Sequence, residues 1–277
     1  MLVSTWNRFR PVALVPSGSS KPGVHLRPAA FWPLVVIQLW LAHAVGFFIH
    51  EYAHSFTAWL FHYKANPLAI NYEHLNLGNV LVQADIDENV DYGPIFADGR
   101  GPLASLIALA GVLIGNEVSY LASRLLYAKA KQKEIHAWSM FFYWICVMIV
   151  GNFLCYVPIR TFTTHGDMAT AARDLGVSSW LIAIVLGVPF AVALWHLFAK
   201  ILPDAEAFLL PSSLSSERVF VLITMFFIFD YFGNAGLHGY GTVSHWLSIT
   251  STFILFPVVS VACWPRSEGR GAAEHFR

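Results

Sequence analysis

The sequence predicts an all-α polytopic membrane protein, with about six transmembrane helices and a small β-hairpin-like insert between the first two. Three observations lead there. The 277 residues are 56% hydrophobic and only 12% charged, where soluble domains carry about 25% charged residues. Several long stretches hold a single acid or no charge at all, and a helix needs about 20 apolar residues to cross the hydrocarbon. Trp32, Trp138, Trp180 and Trp264 fall near the ends of these stretches, as an aromatic belt does. The apolar composition predicts a lipid bilayer as partner, and the formal net charge of zero gives no sign of nucleic acid.

Residues 1–30 form a basic N-terminal segment carrying Arg8, Arg10, Lys21 and Arg27. They lack an apolar core ending in small residues, so no cleavable signal peptide is expected. Residues 31–265 read as one membrane-embedded domain, and 266–277 as a C-terminal tail. The first span, near 32–61, has Glu51 as its single charged residue. The next stretch differs in texture. Leu68, Ile70 and Tyr72 alternate, and Gly78-Asn79 precedes a Val-Leu-Val run, which predicts two short strands around a turn. Its end is acidic, with Asp85, Asp87, Glu88 and Asp91, and reads as solvated.

The second span, near 101–124, opens on Gly101-Pro102 and holds one acid, Glu117. The third, near 137–158, ends where Asn152 and Pro158 disrupt the helix. The fourth, near 178–199, is uncharged. A Gly-rich stretch at 233–242 divides the last apolar region into spans near 217–235 and 243–264. The three cysteines, Cys146, Cys155 and Cys263, have no metal-site spacing and read as small core residues. Basic residues of the N-terminal segment, of the loop after the second span (Arg124, Lys129, Lys131, Lys133) and of the tail share one side, which predicts cytoplasmic termini.

One segment carries chemistry. In "HEYAH", residues 50–54, His50 and His54 are four apart and share a helix face, with Glu51 beside them. Two imidazoles so placed hold zinc, and the glutamate acts as general base on a water whose pKa zinc lowers to about 7. A carboxylate deep in a membrane helix costs several kcal/mol, roughly 2.5–3.5 for Asp on insertion scales, so it marks a functional site by default. The plain alternative is a polar cluster that packs helices. Catalytic zinc takes three protein ligands and keeps one position open. Asp167, in a His-Gly-Asp-Met context just past the third span, is the best third ligand, with Asp230 near His238 the competing carboxylate. Of the remaining polar residues, Glu117 and His43 read as packing groups, His165 as a neighbour of Asp167, and His62, His74, His136, His196 and His245 as interfacial.

These residues resemble the site-2 protease family of intramembrane zinc metalloproteases. The resemblance rests on "HEYAH" in an apolar helix, on the small-residue and Gly-Pro run at 97–115, and on Asn152, Pro158 and Asp167. It covers a metalloprotease-like core at about 40–175. The third element departs from the family pattern. Asn152 and Asp167 are 15 residues apart, and the order is Gly-Asp where the family has Asp-Gly. The resemblance implies a zinc metalloendopeptidase that hydrolyses peptide bonds of transmembrane protein substrates, with the metal toward the cytosol, whereas the distribution of basic residues places the acidic insert on the outer side. It further implies Asn152 as a substrate-orienting residue and the insert as an edge for an extended substrate. The alternative class is a non-proteolytic membrane metal-binding or transporter-like scaffold protein.

Overall fold

The computed structural model describes residues 28–83, 85–210, 213–237 and 239–266. The basic segment up to residue 27, His238 and the tail from residue 267 lie outside the described residues. Six helical spans are long and apolar enough to cross a membrane: Phe31–Leu60, Gly101–Gln132, His136–Phe162, Ser179–Leu209, Leu214–Leu237 and Thr242–Ala262. We number them spans 1 to 6. The protein is an integral, multi-pass, helical membrane protein.

Span 3 is the hub. Its most apolar window is 83% buried, against 17–50% for the other five, and it packs on spans 1, 2 and 5. The Tyr143 and Trp144 rings lie 4.6 and 4.7 Å from Phe220 of span 5. The Tyr143 and Thr224 hydroxyls share a 2.7 Å hydrogen bond. Packing of this kind associates helices in lipid, where no hydrophobic force acts between them.

Spans 2 and 4 outrun their predicted ends at 124 and 199, reaching Gln132 and Leu209. Their charged ends do not stop the helices because the charges find partners. Lys131 pairs with Asp204, and the Tyr127 hydroxyl donates to the same carboxylate at 2.8 Å.

The insert between spans 1 and 2 is not a hairpin. Among the described residues there is no strand, only one isolated antiparallel bridge between Asn71 and Asp87. The Gly78-Asn79 pair, expected to form a turn, lies inside a short helix, Leu77–Val82. The reason is local. Asn76 caps that helix by accepting from the Asn79 amide at 2.8 Å. The Asn79 side chain donates to the carbonyls of Tyr72 and His74, at 3.4 and 2.9 Å, and accepts from the Asp85 amide at 2.7 Å. One asparagine thus satisfies backbone groups that a strand ladder would otherwise serve.

The insert also lies deeper than a surface hairpin would. Val80 accepts a 2.9 Å hydrogen bond from the Trp40 indole, and Trp40 precedes Leu60 by about 30 Å of helix. The chain therefore runs back along span 1. It returns past the cluster of Ala58, Ile95, Ala104 and Ile107, which ties span 1 to the start of span 2. After span 3, the helix Asp167–Leu175 docks on span 2, where the Ser105 hydroxyl donates to the Ala171 carbonyl at 3.2 Å. That docking brings Asp167 back toward span 1.

Candidate metal centre

His50 and His54 sit one helical turn apart in span 1 and are each 1% exposed. Their Nε2 atoms are 3.2 Å apart. Asp167 Oδ2 lies 3.5 Å from the first and 3.4 Å from the second. The three side chains form a group that could hold a metal ion. The triangle fits one well. Tetrahedral bonds of 2.0–2.1 Å, as zinc makes to nitrogen and oxygen, separate neighbouring ligand atoms by about 3.3 Å.

The proton inventory points the same way. The His54 Nδ1 is 2.7 Å from the Ile107 carbonyl, so Nδ1 carries a proton and Nε2 is the nitrogen turned to His50 and Asp167. A positive charge between that nitrogen and the carboxylate, a metal ion or a proton on Nε2, satisfies both. His50 Nδ1 is buried without a hydrogen-bond partner among the described residues. Burial opposes the ionisation of Asp167, yet the imidazoles of His54 and His50 hold its carboxyl well below the usual carboxylate range.

Two glycines of span 2 make the approach possible. A Cβ at Gly111 would stand 2.2 Å from His54 Nε2 and 2.6 Å from His50 Nε2, and one at Gly115 would stand 2.8 Å from the His50 Cα. Both lie in a wide π-helical segment, Gly111–Val118, a geometry frequent at functional sites. The small-residue character of 97–115 thus serves the histidines directly. Gly166, at φ +88°, supplies the left-handed conformation that delivers Asp167 to the first turn of its helix.

Glu51 is 6% exposed, and no hydrogen bond holds its carboxyl among the described residues. It lies in the electrostatic range of His54, Glu88 and Asp167. Glu88 was expected in a solvated loop. It instead sits partly buried beside the centre, and burial foremost raises its pKa above the ordinary glutamate value. The acidic run gave no sign of which acid turns inward.

Asn152 is buried and accepts from the Asn116 amide at 3.2 Å. It lines a cavity of about 320 Å³ with Tyr156, His43 and Gln83. Tyr156 joins that cavity to the histidines, its ring 4.3 Å from the His50 ring. Asp230 is not part of the metal-ligand group. His43 bridges the insert and span 5, with Nδ1 2.8 Å from the Gln83 amide oxygen and Nε2 2.9 Å from the Tyr231 hydroxyl. His165 stacks on Tyr240 at 5.2 Å. Sequence reasoning missed Asn116, Tyr156 and Arg160. The i, i+4 spacing of Tyr156 and Arg160 after Asn152 is the signal that could have flagged two of them.

No family model matches the chain, and neither a curated protein nor a solved structure matches it.

Proposed function

We propose that the protein is an intramembrane zinc metalloprotease of the site-2 protease kind, hydrolysing peptide bonds of membrane-protein substrates. The observation that carries this reading is the convergence of His50, His54 and Asp167, at 3.2–3.5 Å, beside a buried glutamate in a membrane span. Two imidazoles and one carboxylate are a three-ligand set of the type that catalytic zinc uses, leaving a position free. Zinc bound there would supply a Lewis acid and a water acidified to about pKa 7.

The protein's own residues supply the rest. Glu51 accepts a proton from water on the attacking side and returns it to the leaving amine, a task its free carboxyl permits. Asn152, fixed by Asn116, presents a side-chain amide to an extended substrate in the cavity. Tyr156 packs on His50 and forms one wall of that cavity.

The test is metal content and hydrolysis of the purified protein. Wild type should contain about one zinc per chain and cleave a membrane-tethered reporter peptide. His54→Ala should lose the metal, whereas Glu51→Gln should keep it and lose cleavage. Zinc retained by His54→Ala would refute the centre. Zinc bound by wild type without any cleavage would leave a metal-binding scaffold as the better reading, and cleavage unaffected in Glu51→Gln would refute the general-base role.

A further inference from the structure

The cavity beside Asn152 contains one formally charged residue among its lining groups, Arg160, and no acid. Arg160 is the third residue from the end of span 3 and is only partly exposed. Among the described residues it has no carboxylate within ion-pair distance; the four ion pairs lie elsewhere. Aromatic faces and the Cys155 thiol hold it, with its guanidinium carbon 4.6 Å from the Tyr156 ring centre and 5.2 Å from that of Tyr240, and the Asp167 carboxylate lies in its electrostatic range beyond contact distance. Cation–π contact with a partly exposed arginine is worth about 0.5–2 kcal/mol and does not neutralise its charge. A guanidinium kept this way, facing a cavity, is an anion site in waiting, and its planar fork matches a carboxylate.

Its placement says where that anion would lie. A single ring, Tyr156, separates Arg160 from His50. A guanidinium nitrogen lies 3.4 Å from the Cβ position at Gly166, the residue before Asp167. An extended peptide advances about 3.3–3.6 Å per residue, so one or two residues together with an acidic side chain cover the successive ring steps of 4.3 and 4.6 Å.

We propose that Arg160 is a specificity-determining residue that binds a substrate carboxylate one or two residues from the cleaved bond. This rests on the proteolytic reading above. The carboxylate belongs to an aspartate or glutamate side chain or to a chain terminus, and the two share this chemistry.

Four dipeptide succinyl-hydroxamates test it. One pair carries aspartate or asparagine at the first residue, and the other ends in a free carboxylate or a carboxamide. Affinities are measured in detergent on zinc-loaded Glu51→Gln protein and on the same protein with Arg160→Gln or Arg160→Lys added. The carboxylate member of at least one pair should bind at least tenfold more tightly than its amide, and the pair that discriminates identifies the source. Arg160→Gln should abolish the ratio, and Arg160→Lys should keep part of it. Ratios within one variant are insensitive to a loss of folded protein. Equal affinity, or equal failure to bind, across both pairs overturns the proposal, as does a ratio that survives Arg160→Gln. Hydroxamate affinity that zinc removal leaves unchanged refutes the zinc reading by itself. The carboxylate ratio is then read on the metal-free protein with the same compounds.

Discussion

Replacing Gly111 with alanine should empty the metal centre without touching a ligand. The added methyl would lie 2.2 Å from His54 Nε2 and 2.6 Å from His50 Nε2. Ordinary carbon–nitrogen contact is roughly 3.5 Å, so span 2 or the two rings must shift by about 1 Å. Metal sites tolerate about ±0.2 Å in ligand distance. A lost imidazole ligand should therefore weaken zinc by at least about 100-fold, since even supporting groups around a ligand are worth 10–100-fold. Overpacking should cost about 1–3 kcal/mol in addition. Gly187 in span 4 is the matched control, because nothing lies within 4 Å of its Cβ position. Gly187→Ala should stabilise the helix by about 0.5–1 kcal/mol. The assay is competition for zinc against a calibrated chelator, with thermal stability measured with and without the metal. Gly111→Ala holding zinc at wild-type affinity would refute the reasoning, because the two Nε2 atoms would then not meet the metal on the face that span 2 covers.

Three further outcomes follow from the same geometry. Asp167→Ala should sharply lower zinc occupancy and Asp230→Ala should leave it near wild type, read by elemental analysis; the reverse would exchange the two assignments. Asn79→Ala removes three side-chain hydrogen bonds to insert backbone, at about 1 kcal/mol each. It should make the insert a preferred site of limited proteolysis in proteoliposomes, and unchanged resistance would count against its organising role. Glu88 has a raised pKa in the fold, so its contribution to stability is present below the unfolded value and is lost as pH rises through the folded one. Glu88→Gln should therefore raise the melting temperature at neutral pH and have little effect near pH 4; a neutral-pH loss would show that the charged form is needed.

The six spans and the histidine pair were legible because they depend on composition and on helical spacing. Asp167 was legible only with help, since Pro158 announces irregular backbone but not where the chain goes next. The insert was misread for a definite reason. Gly-Asn before an apolar run is a turn signal when strands flank it, yet Asn76 three residues earlier caps a helix through the same Asn79. The acids at 85–91 looked uniformly solvated, because alternation cannot say that Glu88 faces a buried centre across the fold. Arg160 was similarly hidden. Its meaning depends on the absence of a counterion in its cavity, which is a property of packing and has no local signature.

The tight half of span 3 has an electrical consequence. Residues 143–154 are buried without a break, and the Tyr143–Trp144–Phe220 stack fills the bundle about 12 Å of helix away from Asn152. A hydrated cavity around the histidines would be continuous with one aqueous phase and separated from the other by this dry layer. The transmembrane voltage would then fall across the layer rather than along the cavity. A charge crossing the full field exchanges about 2.3 kcal/mol per 100 mV; a proton moving between Glu51 and water would feel little of it. The aromatic stack would act as the insulator that lets a hydrated site exist inside a membrane without short-circuiting it.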